Sequence, residues 1–239
     1  MGCFNSAYMM GPGERLFEQA ASIQAVVGPF TVRPDGVKDD REASRYIAQV
    51  MGIVRMVETT TTGNALITAI RDARRPVLIF PLEQVDDTQA YAWTSPRMGL
   101  FAVAISFTPL FGQRLRKFLG DDENKFERVF IPQEVLVHEL VHAARDVTCN
   151  YHRVDDDDEE ELAVMIANMF SVEINRLPVT NYDEMDNVTG DISGFSRKYY
   201  KENFEMIEAF YRQNKTLAQQ LSYSKSIFNP LRLYMDENI

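Results

Sequence analysis

Two histidines and a glutamate stand at a spacing that could bind a metal ion and carry out acid–base chemistry. His138 and His142 are four residues apart in the segment VLVHELVHAARDV, and Glu139 directly follows the first. Because successive residues of an α-helix are rotated by about 100°, both imidazoles lie on one face and can bind a single ion. Glu139 then lies beside the ion, where it could act as a general base toward water. The pattern predicts zinc-dependent hydrolysis.

The alternative interpretation is an ordinary buried helix with two hydrogen-bonded histidines. Apolar residues surround the motif: Val135, Val137, Leu140, Val141, Ala143 and Ala144. A helix that is apolar nearly all round is typical of a buried central helix, where histidine and glutamate are costly unless they are paired or bound to metal. The chain has three histidines in all. Two of them at this spacing, with Glu139 between them, favour the metal site.

Two histidines leave tetrahedral zinc short of a third protein ligand. The extended motif with a histidine ten residues after the first is excluded, because Thr148 stands there and Arg145 stands at the usual glycine position. His152 is one candidate, although its spacing fits no familiar pattern. Another is the acidic run 159–161, which begins 17 residues after His142. That separation allows a second, antiparallel helix to return against the first.

Helix phase favours Glu160 within this acidic run. The residues three, four and seven places after a ligand share its face, and that face must pack against the active-site helix. For Glu160 they are two alanines and a valine, which permit close approach. For Glu161, the alternative, they include Met165 and Asn168, which hold the helices farther apart. We expect Glu159, the third choice, and Glu161 to lie toward solvent, where replacing either costs little.

The motif and the segment after it resemble a family of bacterial toxins. HELVHA, followed by EELAVMIANMFSVEINRLPVTNY, is similar to the zinc metallopeptidase toxins delivered through type III and type VI secretion systems, which are glutamate-liganded zincins. In that family a helix of the form E-x-x-A-V-x-x-x-N follows the HE-x-x-H-A helix. Its glutamate corresponds to Glu160, although the apolar residue after the ligand is replaced by Glu161. Asn168, Glu173 and Arg176 also occupy corresponding positions.

The resemblance covers about residues 60 to 185, including TTTTGNALITAI and PVLIF before the motif. It implies a zincin-like fold, a protein or peptide substrate, and a protein that is cytoplasmic in its producer and then secreted or injected into a target cell. An immunity protein or chaperone is an implied partner. Tyr182, which follows the second helix, is the candidate donor to the transition-state oxyanion, and an ordinary core or surface tyrosine is the alternative.

A structural zinc site in a protein-interaction module is the rival function. His138, His142 and one glutamate would suffice for it. Glu139 discriminates between the two, because only a hydrolase needs a base beside the metal. A third possibility, an interaction domain with an acidic face and no metal, would be revealed by metal analysis.

Periodicity predicts an α+β fold, with a small mixed sheet in the N-terminal half and a helical C-terminal half. The best strands are PVLIFPLE and MGLFAVAISFT, and FTVRP is a short extended segment. We expect the strand at 98–107 to form the sheet edge beside the active-site helix, where a peptide could add as a further strand. DDTQ and TSPR read as turns. Helices are predicted over 14–27, after Asp39 and Asp40, within TTTTGNALITAIRDARR, and over about 133–147, 158–175 and 195–213.

These elements predict one zincin-like domain over 1–239. Its parts are a helical N-terminal region at 1–58, a catalytic core at 60–185 and a helical C-terminal extension at 190–239. The composition is ordinary for a globular protein, with 45% hydrophobic and 25% charged residues. A formal net charge of −10 argues against a nucleic-acid partner, because phosphate binding needs clustered Lys and Arg.

Targeting signals are weak in this sequence. The apolar run 98–107 is about half as long as a transmembrane helix, which needs about 20 residues. Glu14 and Arg15 interrupt the region where a cleavable signal peptide would be apolar. MGCFNS matches a lipidation pattern at Gly2 and Cys3, and a start codon followed by small residues is the alternative. Cys3 and Cys149 do not form a disulfide framework or a metal knuckle, and we expect free thiols.

Overall fold

The structure is a computed structural model that describes residues 23–81, 92–97, 102–109, 130–148, 156–181 and 186–238. The strands are β1 (Ala25–Val27), β2 (Phe30–Val32), β3 (Val77–Phe80), β4 (Ala92–Arg97) and β5 (Ala102–Phe107). The helices are α1 (Asp40–Glu58), α2 (Thr61–Ala73), α3 (Pro132–Val147), α4 (Asp156–Glu173), α5 (Ile192–Glu202), α6 (Phe204–Gln213), α7 (Lys215–Ser222) and α8 (Pro230–Asn238). The predicted α+β class, with a small mixed sheet followed by helices, is confirmed.

The five strands form one mixed sheet in the order β1-β2-β3-β5-β4. The central pairs β2–β3 and β3–β5 are parallel, and the outer pairs β1–β2 and β4–β5 are antiparallel. The prediction that the strand at 98–107 is the sheet edge is wrong, because β5 pairs on both sides. All six residues of β5 are buried, as expected for an internal strand covered on both faces.

One face of the sheet carries the core. The register aligns Phe30 with Val77 and Val103, and Val32 with Ile79 and Ile105, so alternate residues of three neighbouring strands share a face. These side chains are completely buried. They belong to a hydrophobic core that continues into the helices. Strands β4 and β5 contact α3, whereas β1 and β2 contact α1.

Two predictions of local structure are wrong for reasons visible in the sheet. The helix predicted over 14–27 cannot include 25–27, because Gly28 adopts φ 57° and turns the chain so that Val27 pairs with Phe30 in a hairpin. The residues 1–22 lie outside the described chain. TSPR, predicted as a turn, forms most of β4. Pro96 is tolerated there because β4 ends the strand order, and an edge strand does not need every N–H.

Helices α1 and α2 meet at a tight corner with polar caps. Asp39 accepts hydrogen bonds from the N–H groups of Arg41 and Glu42 at 2.7 and 3.2 Å, which confirms the predicted start of α1. Thr60 caps α2 in the same way through Gly63 N–H at 3.0 Å. A Cβ atom at position 63 would lie 2.2 Å from the carbonyl oxygen of Val57, so this close approach requires glycine.

Helix α3, which carries both histidines of the motif, is buried over most of its length. Pro132 occupies its first turn, where no N–H is needed, and the Glu134 carboxylate accepts from Ile131 N–H at 3.0 Å. The helix contacts α1, α2 and α4 as well as the sheet. Its bounds agree closely with the predicted 133–147, and those of α4 agree with the predicted 158–175.

The C-terminal extension is helical, as predicted, but it consists of shorter helices. The helix predicted over 195–213 is interrupted at Asn203, whose side-chain amide donates to the carbonyl of Tyr199 at 3.1 Å. Asparagine favours helix ends because its side chain competes for backbone groups in this way. Within the described residues, no helix combines the length and apolar character needed to cross a membrane.

Candidate metal centre

Three side chains from α3 and α4 converge on one point. Nε2 of His138 lies 3.2 Å from Nε2 of His142 and 3.0 Å from Oε2 of Glu160. Nε2 of His142 lies 3.5 Å from Oε1 of Glu160. The two rings meet edge to face, with an interplanar angle of 77°. Each histidine therefore directs its outer nitrogen toward the other and toward the same carboxylate.

This geometry fits a tetrahedral metal ion. Ligand atoms at zinc-bond lengths of about 2.0–2.1 Å from a tetrahedral centre are about 3.3 Å from one another, close to the separations of these nitrogens and oxygens. Two histidines and a glutamate are also a donor set that catalytic zinc sites use. Among the described residues, His138, His142 and Glu160 form the one group of His, Cys, Asp and Glu side chains arranged to hold a metal ion.

The candidate site is buried on one side and open on the other. His142 and Glu139 are buried, whereas the side chains of His138 and Glu160 retain 20% and 31% of their exposure. A catalytic zinc site must leave a coordination position that substrate can reach, while a structural site is closed. Solvent can reach this site past His138 and Glu160.

The carboxylates make the site strongly attractive to positive charge. Burial lowers the pKa of His142, but hydrogen bonds to Glu159 and Glu160 and the charge of Glu139 together raise it to about 10. Burial raises the pKa of Glu160, but both histidines hold it well below its usual range. In the metal-free protein, a proton on His142 therefore balances part of the carboxylate charge. A divalent cation can take the place of that proton.

The expectation that Glu159 and Glu161 lie toward solvent is wrong for Glu159, and Glu161 is only partly exposed. Glu159 is buried and accepts from Nε of Arg145 at 2.6 Å, while its other oxygen lies 3.4 Å from Nδ1 of His142. The Glu161 carboxylate accepts from the hydroxyl of Tyr199 at 2.5 Å. Burial and the charge of Glu161 raise the pKa of Tyr199 well above its usual value, so this hydroxyl keeps its proton. Partners elsewhere in the fold, which helix phase does not reveal, hold both glutamates.

The other residues of the resemblance, on and after α4, bind backbone groups and side chains of neighbouring segments. Asn168 pairs with the backbone of Val179 through two hydrogen bonds of 2.7 and 2.9 Å. Glu173 accepts from Thr61 N–H at 2.8 Å and therefore caps α2. Arg176 donates to Glu134 at 2.9 Å, which ties the end of α4 to the start of α3.

Sequence reasoning missed Arg145 and Tyr199 as parts of this region. Arg145 departs from the extended histidine motif, and its position three residues after His142 places it on the same side of α3. No local pattern indicates Tyr199, which comes from a distant helix. Tyr182 and His152, as well as Gly2, Cys3 and Cys149, lie outside the described residues.

The chain has no significant match among protein-family models, curated proteins or solved structures.

Proposed function

We propose that this protein is a zinc-dependent endopeptidase, in keeping with its resemblance to secreted bacterial zincin toxins. The observation that carries the proposal is the convergence of His138, His142 and Glu160 on one point, with Glu139 buried beside them. An open histidine–histidine–glutamate site with an additional carboxylate is what metal-assisted hydrolysis requires. Delivery into a target cell and a cognate immunity protein or chaperone are parts of the same proposal.

Glu139 and the open side of the site favour hydrolysis over a purely structural zinc site. A structural site needs no general base beside the metal, whereas metal-assisted hydrolysis does. Exposure of His138 and Glu160 also leaves room for a substrate group. A closed structural site requires neither of these two features.

The proposed mechanism gives separate roles to the metal, to Glu139 and to strand β4. Zinc, when bound, would supply Lewis-acid polarisation of the scissile carbonyl group. Glu139 would take a proton from the attacking water and later deliver one to the leaving amine, as a general base and then a general acid. The edge strand β4, which contacts α3, could hold the peptide in extended form by backbone hydrogen bonds. Protein or peptide is therefore the expected substrate class.

Replacing Glu139 by glutamine tests the proposal. Zinc-loaded wild-type protein and Glu139→Gln are incubated with a peptide library prepared from whole-cell digests, and new termini are identified by mass spectrometry. We expect the variant to keep its zinc and to lose cleavage by about a hundredfold or more, because glutamine cannot accept the proton.

Asp158→Asn is the matched control. It removes the same charge from an exposed residue two positions before Glu160 and should cleave like wild type. A wild-type protein that binds zinc but cleaves no peptide would instead support the structural zinc site. A Glu139→Gln variant with full activity would exclude Glu139 as the general base.

A further inference from the structure

A buried ion pair lies directly behind the candidate metal ligands. Arg145 has no exposed surface, and its Nε donates to Oε2 of Glu159 at 2.6 Å. The second oxygen of Glu159 lies 3.4 Å from Nδ1 of His142. Glu159 therefore joins the inner nitrogen of a ligand histidine to a permanent positive charge.

Helix α6 fixes the position of Arg145. Nη2 of Arg145 donates to the side-chain carbonyl of Gln213 at 3.3 Å, and the guanidinium carbon of Arg145 lies 5.7 Å from the centre of the Phe210 ring. Both residues belong to the C-terminal extension, which lies beyond the resembling segment. A series of contacts therefore connects this extension with the candidate metal site: α6 contacts Arg145, Arg145 contacts Glu159, and Glu159 contacts His142.

The arrangement determines which nitrogen of His142 faces the ion. If Glu159 accepts the Nδ1 proton, Nε2 carries the lone pair, and Nε2 is the atom directed at His138 and Glu160. Because Arg145 occupies Oε2, Glu159 presents Oε1 to the histidine and is held away from the metal position. Burial of the pair makes this geometry rigid, since breaking it would leave a buried charge without compensation.

We infer that Arg145 and Glu159 are positioning residues of the metal centre: Arg145, held by α6, orients Glu159, and Glu159 fixes the tautomer and ring orientation of His142. This inference rests on the proposed zinc site. It assigns the C-terminal helices a role in metal binding, and it explains why a buried arginine stands where extended histidine motifs have glycine.

Variants of the pair test the inference through metal binding as well as activity. We expect Glu159→Gln and Arg145→Met to weaken zinc binding by about 10- to 100-fold, as loss of a partner behind a ligand typically does. Arg145→Lys should recover part of the affinity, because it restores a charge but not the planar geometry. Zinc affinity is measured by competition with a chromophoric chelator. The visible spectrum of the cobalt-substituted protein reports ligand geometry directly, and its bands should shift in Glu159→Gln and Arg145→Met.

Arg75→Met is the matched control. Arg75 donates to the backbone carbonyl of Asp146, the residue after Arg145, at 2.8 Å, but has no described contact with the three ligands. It should leave zinc affinity and the cobalt spectrum unchanged. Far-ultraviolet circular dichroism identifies folded variants. If Arg145→Met does not fold, the near-isosteric Glu159→Gln decides the question.

The outcomes separate this inference from the proposed function. If wild-type protein binds zinc and folded Glu159→Gln has wild-type affinity and the wild-type cobalt spectrum, the positioning role is overturned while the zinc site stands. If wild-type protein binds neither zinc nor cobalt, both are overturned. Weaker binding in both variants, with a shifted spectrum and partial recovery in Arg145→Lys, supports the positioning role.

Discussion

At the scale of single residues, charge explains why this site suits a divalent cation. Glu139, Glu159 and Glu160 bring three negative charges together around the histidines, and Arg145 returns one positive charge. With both histidines neutral, these four described groups sum to a formal charge of −2, which a divalent ion would balance. A metal ion would thus complete the electrostatic balance of these residues rather than disturb it.

The identity of the third ligand leads to the first prediction at this scale. Glu160→Ala removes the only carboxylate that lies near both ligand nitrogens among the described residues, so zinc affinity should fall by more than about a hundredfold. Glu161→Ala removes a carboxylate that accepts from Tyr199, and zinc affinity should stay within a few-fold of wild type. Chelator competition measures both. Wild-type affinity in Glu160→Ala would mean that another residue completes the site.

The spacing of residues in the sequence was sufficient to predict that His138, His142 and Glu160 come together, but not which residues support them. His138 and His142 share a face because helix geometry requires it, and the small residues after Glu160 indicated the face of α4 that approaches α3. The surroundings of Glu159 and Glu161 depend on Arg145 and Tyr199, whose positions are set by tertiary packing. Local periodicity contains no information about such contacts.

At the scale of elements, polar side chains join helix ends that are distant in the sequence. The Glu173 carboxylate at the end of α4 accepts from the N–H groups of Thr61 and Thr62, and it also accepts from the hydroxyl groups of Thr62 and Ser224. It therefore caps α2 and fixes the loop after α7 at the same time. A negative charge at a helix N-terminus is favourable for the helix dipole as well.

Loss of this cap should be measurable. Glu173→Ala leaves several partly buried donors without their acceptor, and we expect a loss of about 1–3 kcal/mol in the free energy of unfolding. Urea denaturation followed by circular dichroism provides the measurement. The control is Glu202→Ala, which removes an exposed carboxylate 3.8 Å from Lys198 and should cost less than about 0.5 kcal/mol. Equal losses in the two variants would contradict the capping role.

The elements that could be predicted are those with a strong local signal. The helix after Asp39 and the helix carrying the histidines have clear caps and apolar patterns, and both begin within a residue of their predicted positions. The failures have tertiary causes. Residues 25–27 are apolar enough for a helix but pair as a strand. Strand β5 is internal because β4, whose segment TSPR was predicted as a turn, pairs with its outer side.

At the scale of the whole molecule, the candidate metal site lies between two helices that belong to the shared core. Helices α3 and α4 contribute buried residues to the same hydrophobic cluster as the sheet and the C-terminal helices. An ion bound between α3 and α4 would therefore stabilise the entire fold rather than one loop.

Removal of the metal should accordingly lower the melting temperature. Zinc present at 1,000 times its Kd stabilises a protein by about 4 kcal/mol. For a chain of this size that corresponds to about 8–16 °C, because each kcal/mol shifts Tm by about 2–4 °C. Differential scanning calorimetry with zinc and with EDTA measures the shift. His138→Ala and His142→Ala should melt at the same temperature in both conditions, and a wild-type protein that does so would contradict a metal shared by the two helices.

The effect of metal removal should also depend on pH. In the metal-free protein the pKa of His142 is raised to about 10, above its ordinary value of 6.5, so its protonation stabilises the fold fully below pH 6.5 and progressively less as pH rises toward 10. Zinc, when bound, would take the place of this proton, so this loss would not occur. Proton competition for the metal also weakens with rising pH. The difference in Tm between zinc-loaded and EDTA-treated protein should therefore be larger at pH 9 than at pH 7. Calorimetry at both pH values tests this prediction. The control is His142→Ala, which should melt at the same temperature with zinc and with EDTA at either pH. A difference in Tm that becomes smaller toward pH 9 would contradict the proposed coupling of the proton and the metal.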